Sequence, residues 1–304
     1  MNFVLRRLIQ VPFVALLVAS LCFFLMHILP GSPFDRERAG PAAAKAAVEA
    51  RYHLDKPLPV QYLYWLSDVV RGDLGPSLKY RNHSVNDILA QTLPVSFTLG
   101  WLAFGVALGV GVPLGAWAAL RPGSWGDWCA AFLVLLGVCV PSFIVGPLLI
   151  LVFSLKLGWF PAALWGGVSN AVLPVTALGL FFAARVARLA REGITETLRS
   201  EFIMAVRAKG AGEFRVLTRH AFRTGLLPVV SYCGPMLADL LTGSFVIETV
   251  FQIPGTGTFF INAFNNKDYT MIVGITLLYA VLLLSLNLIV DLAYAWLDPR
   301  VRHD

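Results

Sequence analysis

The chain has 304 residues, of which 57% are hydrophobic and 14% are charged, with a mean hydropathy of +0.71 and a net charge of +6. A soluble domain carries about 25% charged residues, so this composition excludes an ordinary water-soluble globule. The basic residues cluster at the ends of apolar runs, which indicates membrane topology rather than nucleic-acid binding.

Apolar windows of membrane-spanning length recur along the chain, since about 20 such residues cross about 30 Å of hydrocarbon as a helix. In chain order they are about 9–29, 93–120, 128–155, 171–190, 226–247 and 271–297. The first follows Arg6 and Arg7, but its apolar stretch is too long for a secretory signal and lacks a small-x-small cleavage pattern. We therefore expect an all-α integral membrane fold with six transmembrane helices.

Lysine and arginine in the connections predict the orientation, because short cytoplasmic loops carry the excess of positive charge. One side holds Arg6, Arg7, Arg121, Arg185 through Arg223, Arg300 and Arg302, whereas the short loops of the other hold Lys156 and Lys267. This pattern places both termini and residues 191–225 in the cytoplasm and the connection 30–92 outside. We expect a single transmembrane domain over 1–304.

Proline and glycine interrupt several windows. The prolines are Pro94, Pro113, Pro141, Pro147, Pro174 and Pro235, and the second window carries Gly105-x-x-x-Gly109 and Gly111-x-x-x-Gly115. Such glycine pairs favour close helix packing, and a direct contact with substrate is the alternative.

Catalytic and cofactor motifs are missing. No lysine follows a glycine, so a phosphate-binding Gly-x-x-x-x-Gly-Lys loop cannot form, and neither HExxH nor Gly-x-Ser-x-Gly occurs. The five histidines are scattered, and the four cysteines lie in or beside apolar runs without CxxC spacing. The sequence therefore predicts no catalytic residue, no metal site and no cofactor in this chain.

Carboxylates within the windows are few, and each needs a reason because charge in a membrane is costly. Two interpretations of Asp239 remain open: its side chain lines a wet pathway, or it forms a hydrogen bond to a partner helix. For Asp291 and Glu248, which lie towards window ends, we expect capping or snorkelling. The candidates for the pathway or its gate are Asp239, Ser244, Glu248, Pro141 and Ser142.

Residues 201–228 (EFIMAVRAKGAGEFRVLTRHAFRTGLLP) form a charged stretch between apolar windows. The pattern predicts a helix from Phe202 to Lys209, stopped by Gly210, and a second helix from about Gly212 with Glu213 in its first turn. In the second helix, the spacing predicts a cationic stripe (Arg215, Arg219, Arg223) and a separate apolar face (Phe214, Leu217, Ala221). A solvated positive loop is the alternative.

The core Ala205-Val206-Arg207-Ala208-Lys209-Gly210, followed by Arg219-His220-Ala221 and Leu227-Pro228, resembles the cytoplasmic loop of ABC-importer permeases. In that family the loop forms a coupling helix that seats on a separate ATPase subunit, which holds ATP and Mg. Met204-Ala205-Val206 stands where the family name motif has Glu-Ala-Ala. The resemblance implies ATPase coupling by Ala205, Arg207, Ala208, Lys209, Gly210, Ala211, Gly212 and Glu213.

Further motifs resemble the B-type permeases of oligopeptide importers: Pro30-Gly31-Ser32-Pro33-Phe34, Gly72-Asp73-Leu74-Gly75, Pro141-Ser142-Phe143, residues 242–249 (TGSFVIET), Pro254-Gly255-x-Gly257 and Asp298-Pro299-Arg300. The resemblance implies a type I importer permease of the bacterial inner membrane. It also implies a second homologous permease as heterodimer partner, two ATPases, a periplasmic peptide-binding protein, and peptide as cargo. Dipeptides, glutathione or nickel chelates are alternative cargoes, and an ion-coupled secondary transporter or a membrane enzyme is an alternative class.

Overall fold

The computed structural model describes residues 3–28, 56–80, 82–140, 142–241 and 244–297. These ranges contain helices joined by turns, and an isolated antiparallel bridge between Pro76 and Ser84. The α-helices are α1 Phe3–Ile28, α2 Leu58–Val70, α3 Val85–Leu120, α4 Trp125–Cys139, α5 Ser142–Leu149, α6 Val168–Leu198, α7 Glu201–Ala208, α8 Glu213–Arg215, α9 Phe222–Gly225, α10 Leu227–Leu241, α11 Phe245–Val250, α12 Thr256–Asn266 and α13 Tyr269–Leu297. Two π-helices, Ile150–Lys156 and Val216–Ala221, adjoin them. The predicted all-α fold is confirmed.

Four runs among the described residues are long and apolar enough to cross a membrane: Val85–Leu120, Val168–Leu198, Leu227–Val250 and Tyr269–Val290. Shorter apolar helices, Gln10–Leu25 and Ile144–Lys156, occupy the first and third predicted windows. Each predicted window therefore holds apolar helix, while the count of six spans and the sides of the termini stay predictions. At 1.5 Å per residue, α3 and α6 are about 54 and 46 Å long, so both are longer than the hydrocarbon core is thick.

Two predicted windows contain interrupted helices. In the third, α4 ends at Cys139 and α5 begins at Ser142, on either side of a proline, which can neither donate a backbone hydrogen bond nor fit inside a regular helix. The fifth window, expected to be a span over about 226–247, coincides closely with the run Leu227–Val250, which is long and apolar enough to cross a membrane. It holds α10 up to Leu241 and a separate helix, α11, for which Ser244 is the N-cap.

The chain divides into two compact units, and the first comprises Met1–Val95 and Gly255–Ser285. Within it, α2 packs against α1. The Ser20 hydroxyl lies 2.7 Å from the Tyr62 hydroxyl, and the Phe23 ring contacts the Trp65 ring at a centroid distance of 5.3 Å. The part of the 30–92 connection that the structure describes is thus helical and anchored.

Asp268 organises the other end of this unit. The residue is buried directly before α13, and its carboxylate accepts hydrogen bonds from the Met271 backbone N–H at 3.1 Å and the Ser77 hydroxyl at 2.5 Å. The first bond caps the helix and the second ties the 76–80 loop to it. Negative charge at Asp268 adds to burial in raising the pKa of Tyr80, with burial the larger cause.

The second unit comprises Ser96–Pro254 and Leu286–Asp304, and α6 supplies much of its core. The backbones of α3 and α6 approach closely, because a β-carbon at Gly111 or Gly115 would collide with residues Ala183 to Ala190 of α6. The close packing predicted for this pair is thereby confirmed. By contrast, no atom lies within 4 Å of a β-carbon built at Gly105 or Gly109.

Candidate functional site

The segment 191–225, here called the coupling segment, bends sharply at Gly210. Helix α7 ends with Lys209, whose N–H donates to the Ala205 carbonyl at 3.2 Å, and the Gly210 N–H donates to the Arg207 carbonyl at 2.9 Å. Gly210 has φ +81°, in the left-handed region that an L side chain disfavours. The predicted stop at this glycine is therefore present in the backbone.

An ion pair spans the bend. The Arg207 Nε and Nη2 atoms donate to the two carboxylate oxygens of Glu213 at 2.8 and 3.0 Å. Hydrogen bonding from Arg207 lowers the pKa of Glu213, and the reciprocal bond raises the pKa of Arg207. The pair is solvent-exposed, so we assign it to holding the bend's geometry rather than to a large stabilisation.

After the bend at Gly210 and the short helix α8, the chain continues as a π-helix, Val216–Ala221, which the sequence pattern did not predict. Val216 and Ala221, five residues apart, are both fully buried and pack with Ile203 of α7. A π-helix has a wider turn than an α-helix, so residues at i and i+5 share a face. The predicted apolar face of Phe214, Leu217 and Ala221 is therefore wrong at Phe214, which is 81% exposed.

Exposed apolar side chains surround the bend. Phe202 and Met204 of α7 are each 55% exposed, Phe214 of α8 is 81% exposed, and Arg215 and Arg219 are exposed as well. Large apolar side chains left exposed on a segment between membrane spans are candidates for a protein interface. We call this group, Phe202, Met204 and Phe214, the apolar knob.

The residues predicted to couple to an ATPase lie together around the bend. Seven of them are exposed and Ala211 is half-buried: Ala205, Arg207, Ala208, Lys209, Gly210, Ala211, Gly212 and Glu213. They are accessible to a partner, and their role in coupling stays a prediction.

The coupling segment is joined to the spans at both ends. A β-carbon at Gly193 of α6 would collide with the Gly225 carbonyl of α9, so the two backbones are in direct contact. At the start of the segment, Arg191 Nε lies 2.7 Å from Asp127 Oδ1. The Asp127 carboxylate also accepts the Gly123 N–H at 2.9 Å, and this bond, with Arg191 adding to it, lowers the pKa of Asp127.

Among the pathway candidates, Glu248 lies in a different environment from the one predicted from the sequence. It lies in α11 with 0% exposure, and its Oε1 accepts a hydrogen bond from the Ser96 hydroxyl at 2.8 Å. Snorkelling, which would bring the carboxylate to water, is therefore wrong for Glu248. The carboxylate is enclosed where α11 packs against α5 and α6. Ser96 was missed, although it is a polar residue within an apolar window.

The other candidates are dispersed. Ser244 caps α11, four residues before Glu248, by accepting the Ile247 N–H at 3.4 Å. Ser142 is the first residue of α5, and Pro141 lies outside the described residues. Asp239 is exposed on α10, and Asp291 lies within α13, where only its helical backbone is described. Their roles in a pathway stay predictions.

Comparison with known proteins gives matches over nearly the whole chain. The family described as "Binding-protein-dependent transport system inner membrane component" matches residues 111–303, and its N-terminal counterpart, "Binding-prot-dependent transport system membrane comp, N-term", matches residues 1–100. The chain is 42% identical to the oligopeptide transport system permease protein OppB of Haemophilus influenzae and 41% identical to OppB of Escherichia coli K12, in both cases covering 100% of each chain. It is 42% identical to the dipeptide transport system permease protein DppB of Bacillus subtilis, covering 99% of this chain and 98% of that one.

Solved structures agree in fold. The structure titled "Inward facing conformations of the MetNI methionine ABC transporter" aligns with a TM-score of 0.58 at 16% identity, over 69% of this chain and 96% of that one. A crystal structure of an amino acid ABC transporter aligns with a TM-score of 0.55, also at 16% identity, over 69% and 94%. The chain is a multi-pass inner-membrane protein, and it belongs to the family of inner membrane components of binding-protein-dependent transport systems.

Proposed function

We propose that this chain forms half of the translocation pathway for oligopeptides in an ATP-driven importer. The other half is a second homologous permease. Two ABC ATPases in the cytoplasm bind ATP and Mg, and a periplasmic binding protein delivers the peptide. Full-length similarity to relatives named oligopeptide permeases supports this cargo. The similarly close dipeptide permease relative supports dipeptides as the second candidate.

Peptide chemistry explains why a protein pathway is needed. A peptide carries charged termini and several amides, and each unpaired amide costs about 2–7 kcal/mol in an apolar medium. No route through lipid is available to such a molecule. A wet passage that opens alternately to the two sides meets this need, and spans built from successive shorter helices, such as α4 with α5 and α10 with α11, are suited to lining it.

The observation that carries the proposal is the structure of the coupling segment. It exposes the three apolar side chains of the apolar knob together with Arg215 and Arg219, and this combination fits a partner surface that offers apolar contacts and acidic side chains. An ATPase subunit that binds these exposed side chains would contact the bend at Gly210 directly. The coupling residues named above, from Ala205 to Glu213, lie within this contact.

Force applied at the bend would be transmitted to the spans because the two arms of the coupling segment pack against each other. Ile203, Val216 and Ala221 join its two arms into one packed body. The contact between Gly193 and Gly225 then joins the returning arm to α6, and α10 follows Leu226 directly. Movement of the ATPases would therefore move α6 and α10 as rigid levers, which opens and closes the passage.

The external side supplies the contact for the binding protein. We assign this contact to residues 30–92 and 249–270, of which 30–55 and 81 lie outside the described residues. Helix α2 exposes Leu63 and Val70, the latter at 79%. Changing them together to glutamate is expected to abolish stimulation of ATP hydrolysis by the binding protein. Unchanged stimulation would remove this face of α2 from the contact, and Asp68→Ala, which changes an exposed residue on another face of α2, is the control.

Purification and uptake test the function as a whole. A tagged chain isolated in mild detergent is expected to co-elute with two ATPases and a second permease. The complex in proteoliposomes should then import labelled peptide only with ATP and the binding protein. Competition by di-, tri- and pentapeptides, glutathione and a nickel chelate identifies the cargo. A chain that purifies alone and imports on an ion gradient would overturn the proposal.

A further inference from the structure

Helices α6 and α10 pack against each other in the second unit, and each leaves one face exposed. On α10 the exposed residues recur every three or four positions: Pro228, Ser231, Pro235 and Asp239. On α6 the exposed residues recur in the same way: Phe181, Arg185, Arg188 and Glu192. Because three- and four-residue spacing places side chains on one face of a helix, each helix has one exposed stripe, and each stripe contains charged residues.

Arg185 of α6 and two residues of α10, Tyr232 and Asp239, are here called the cluster. Arg185 Nη1 donates a long hydrogen bond to the Tyr232 hydroxyl at 3.4 Å, and its guanidinium carbon lies 5.5 Å from the centre of the Tyr232 ring. Asp239 lies seven residues, or two turns, beyond Tyr232 on the same side of α10. A cation, an anion and a phenol are therefore grouped, with the arginine stacked on the aromatic ring as in a cation–π pair.

The position of the cluster indicates what it faces. Arg185 lies within the window 171–190, and Asp239 lies within the window 226–247. Ionisable side chains within membrane spans face the protein interior or a water-filled cavity, because lipid cannot solvate them. Arg185 lies towards the cytoplasmic end of its window and Asp239 lies in the middle of its own, and both side chains are exposed on this chain. The face that carries them therefore borders water or another protein chain rather than lipid.

We propose that Arg185, Tyr232 and Asp239 form a docking site for the charged termini of a zwitterionic peptide. Arg185 binds the carboxylate, because a guanidinium matches a carboxylate in shape and charge. Asp239 binds the ammonium group, and Tyr232 holds the guanidinium in place. The site rests on the proposed function, and it adds the chemical groups by which the cargo is recognised inside the membrane.

The spacing and charges of these side chains suit a peptide that binds and is then released. Tyr232 and Asp239 are seven residues apart on α10, which is about 10 Å along the helix and about the length of three extended residues. Without cargo, Arg185 and Asp239 offset each other's charge. A peptide that binds adds one negative and one positive terminus to charges that already balance, so the net electrostatic gain is small enough for release.

The test uses the complete importer in proteoliposomes, saturated with binding protein, and three labelled peptides: trialanine, N-acetyl-trialanine and trialanine amide. Each variant is compared with wild type for each peptide, so that discrimination by the binding protein cancels. Asp239→Asn is expected to slow trialanine about tenfold, the loss of one charged contact, and to leave N-acetyl-trialanine unchanged. Arg185→Gln is expected to slow trialanine by a similar factor and to leave trialanine amide unchanged.

Controls separate this site from a structural role. Asp239→Glu keeps the charge and should restore trialanine uptake, and Arg188→Gln, which removes a surface pairing with Glu192 one turn away, should leave all three peptides unchanged. Equal slowing of all three peptides in Asp239→Asn, or loss of the second permease on purification, would overturn the docking site in favour of a structural or interface role. Failure of the wild-type complex to import any peptide would instead overturn the proposed function.

Discussion

Replacing Gly210 tests whether the bend transmits force. Its φ of +81° is a conformation that costs an ordinary L residue about 1–2 kcal/mol, and a β-branched residue more. No atom lies within 4 Å of a β-carbon built there, so the cost is conformational and not due to crowding. We expect Gly210→Ala to shift the equilibrium away from this bend by about 5- to 30-fold, and Gly210→Val to shift it further.

The assay measures peptide imported per ATP hydrolysed in proteoliposomes. Gly210→Val is expected to insert and assemble normally and to hydrolyse ATP without import, because the segment no longer presents its surface in the required direction. Gly210→Asn, which tolerates the left-handed region, should retain most import. Gly212 has φ −67° and equally open surroundings, so Gly212→Ala is the matched control. Wild-type import by Gly210→Val, or an equal loss in Gly212→Ala, would refute the reasoning.

Three further predictions concern packing, a buried carboxylate and pH. Gly115→Leu should overpack the contact of α3 with α6 and lower stability by about 1–3 kcal/mol or more, whereas Gly109→Leu should not, and thermal unfolding in detergent measures the difference. Glu248→Ala leaves the Ser96 hydroxyl without this acceptor and should destabilise by about 1–3 kcal/mol, with Glu248→Gln milder; equal melting temperatures would contradict this. The pKa of Glu213 is lowered in the folded chain, so the stability that its pairing contributes is present above the ordinary glutamate pKa of about 4.3 and is lost as pH falls through the lower folded value. Proteolysis of the coupling segment should therefore rise only at acid pH, and in Glu213→Gln this component of the pH dependence should vanish.

The coupling segment shows which structural features could be predicted from the sequence pattern and which could not. The presence of a charged helical bend stopped at Gly210 could be predicted, because glycine chemistry and helix-end preferences act within a few residues. Which side of the second arm is buried could not, since the prediction assumed α-helical spacing. Val216 and Ala221 both pack on Ile203, and that contact is made through a π-helix.

The membrane class, the apolar windows, the family and the position of the bend were determined by the sequence alone, because hydropathy and local stop signals need no distant partner. The tertiary structure decided the rest. It encloses Glu248 with Ser96, 152 residues away, packs Gly115 while leaving Gly109 open, and brings Arg185 to Tyr232 across two helices. These outcomes depend on which helix faces meet, and burial of a side chain is a property of such pairs of distant segments rather than of any one of them.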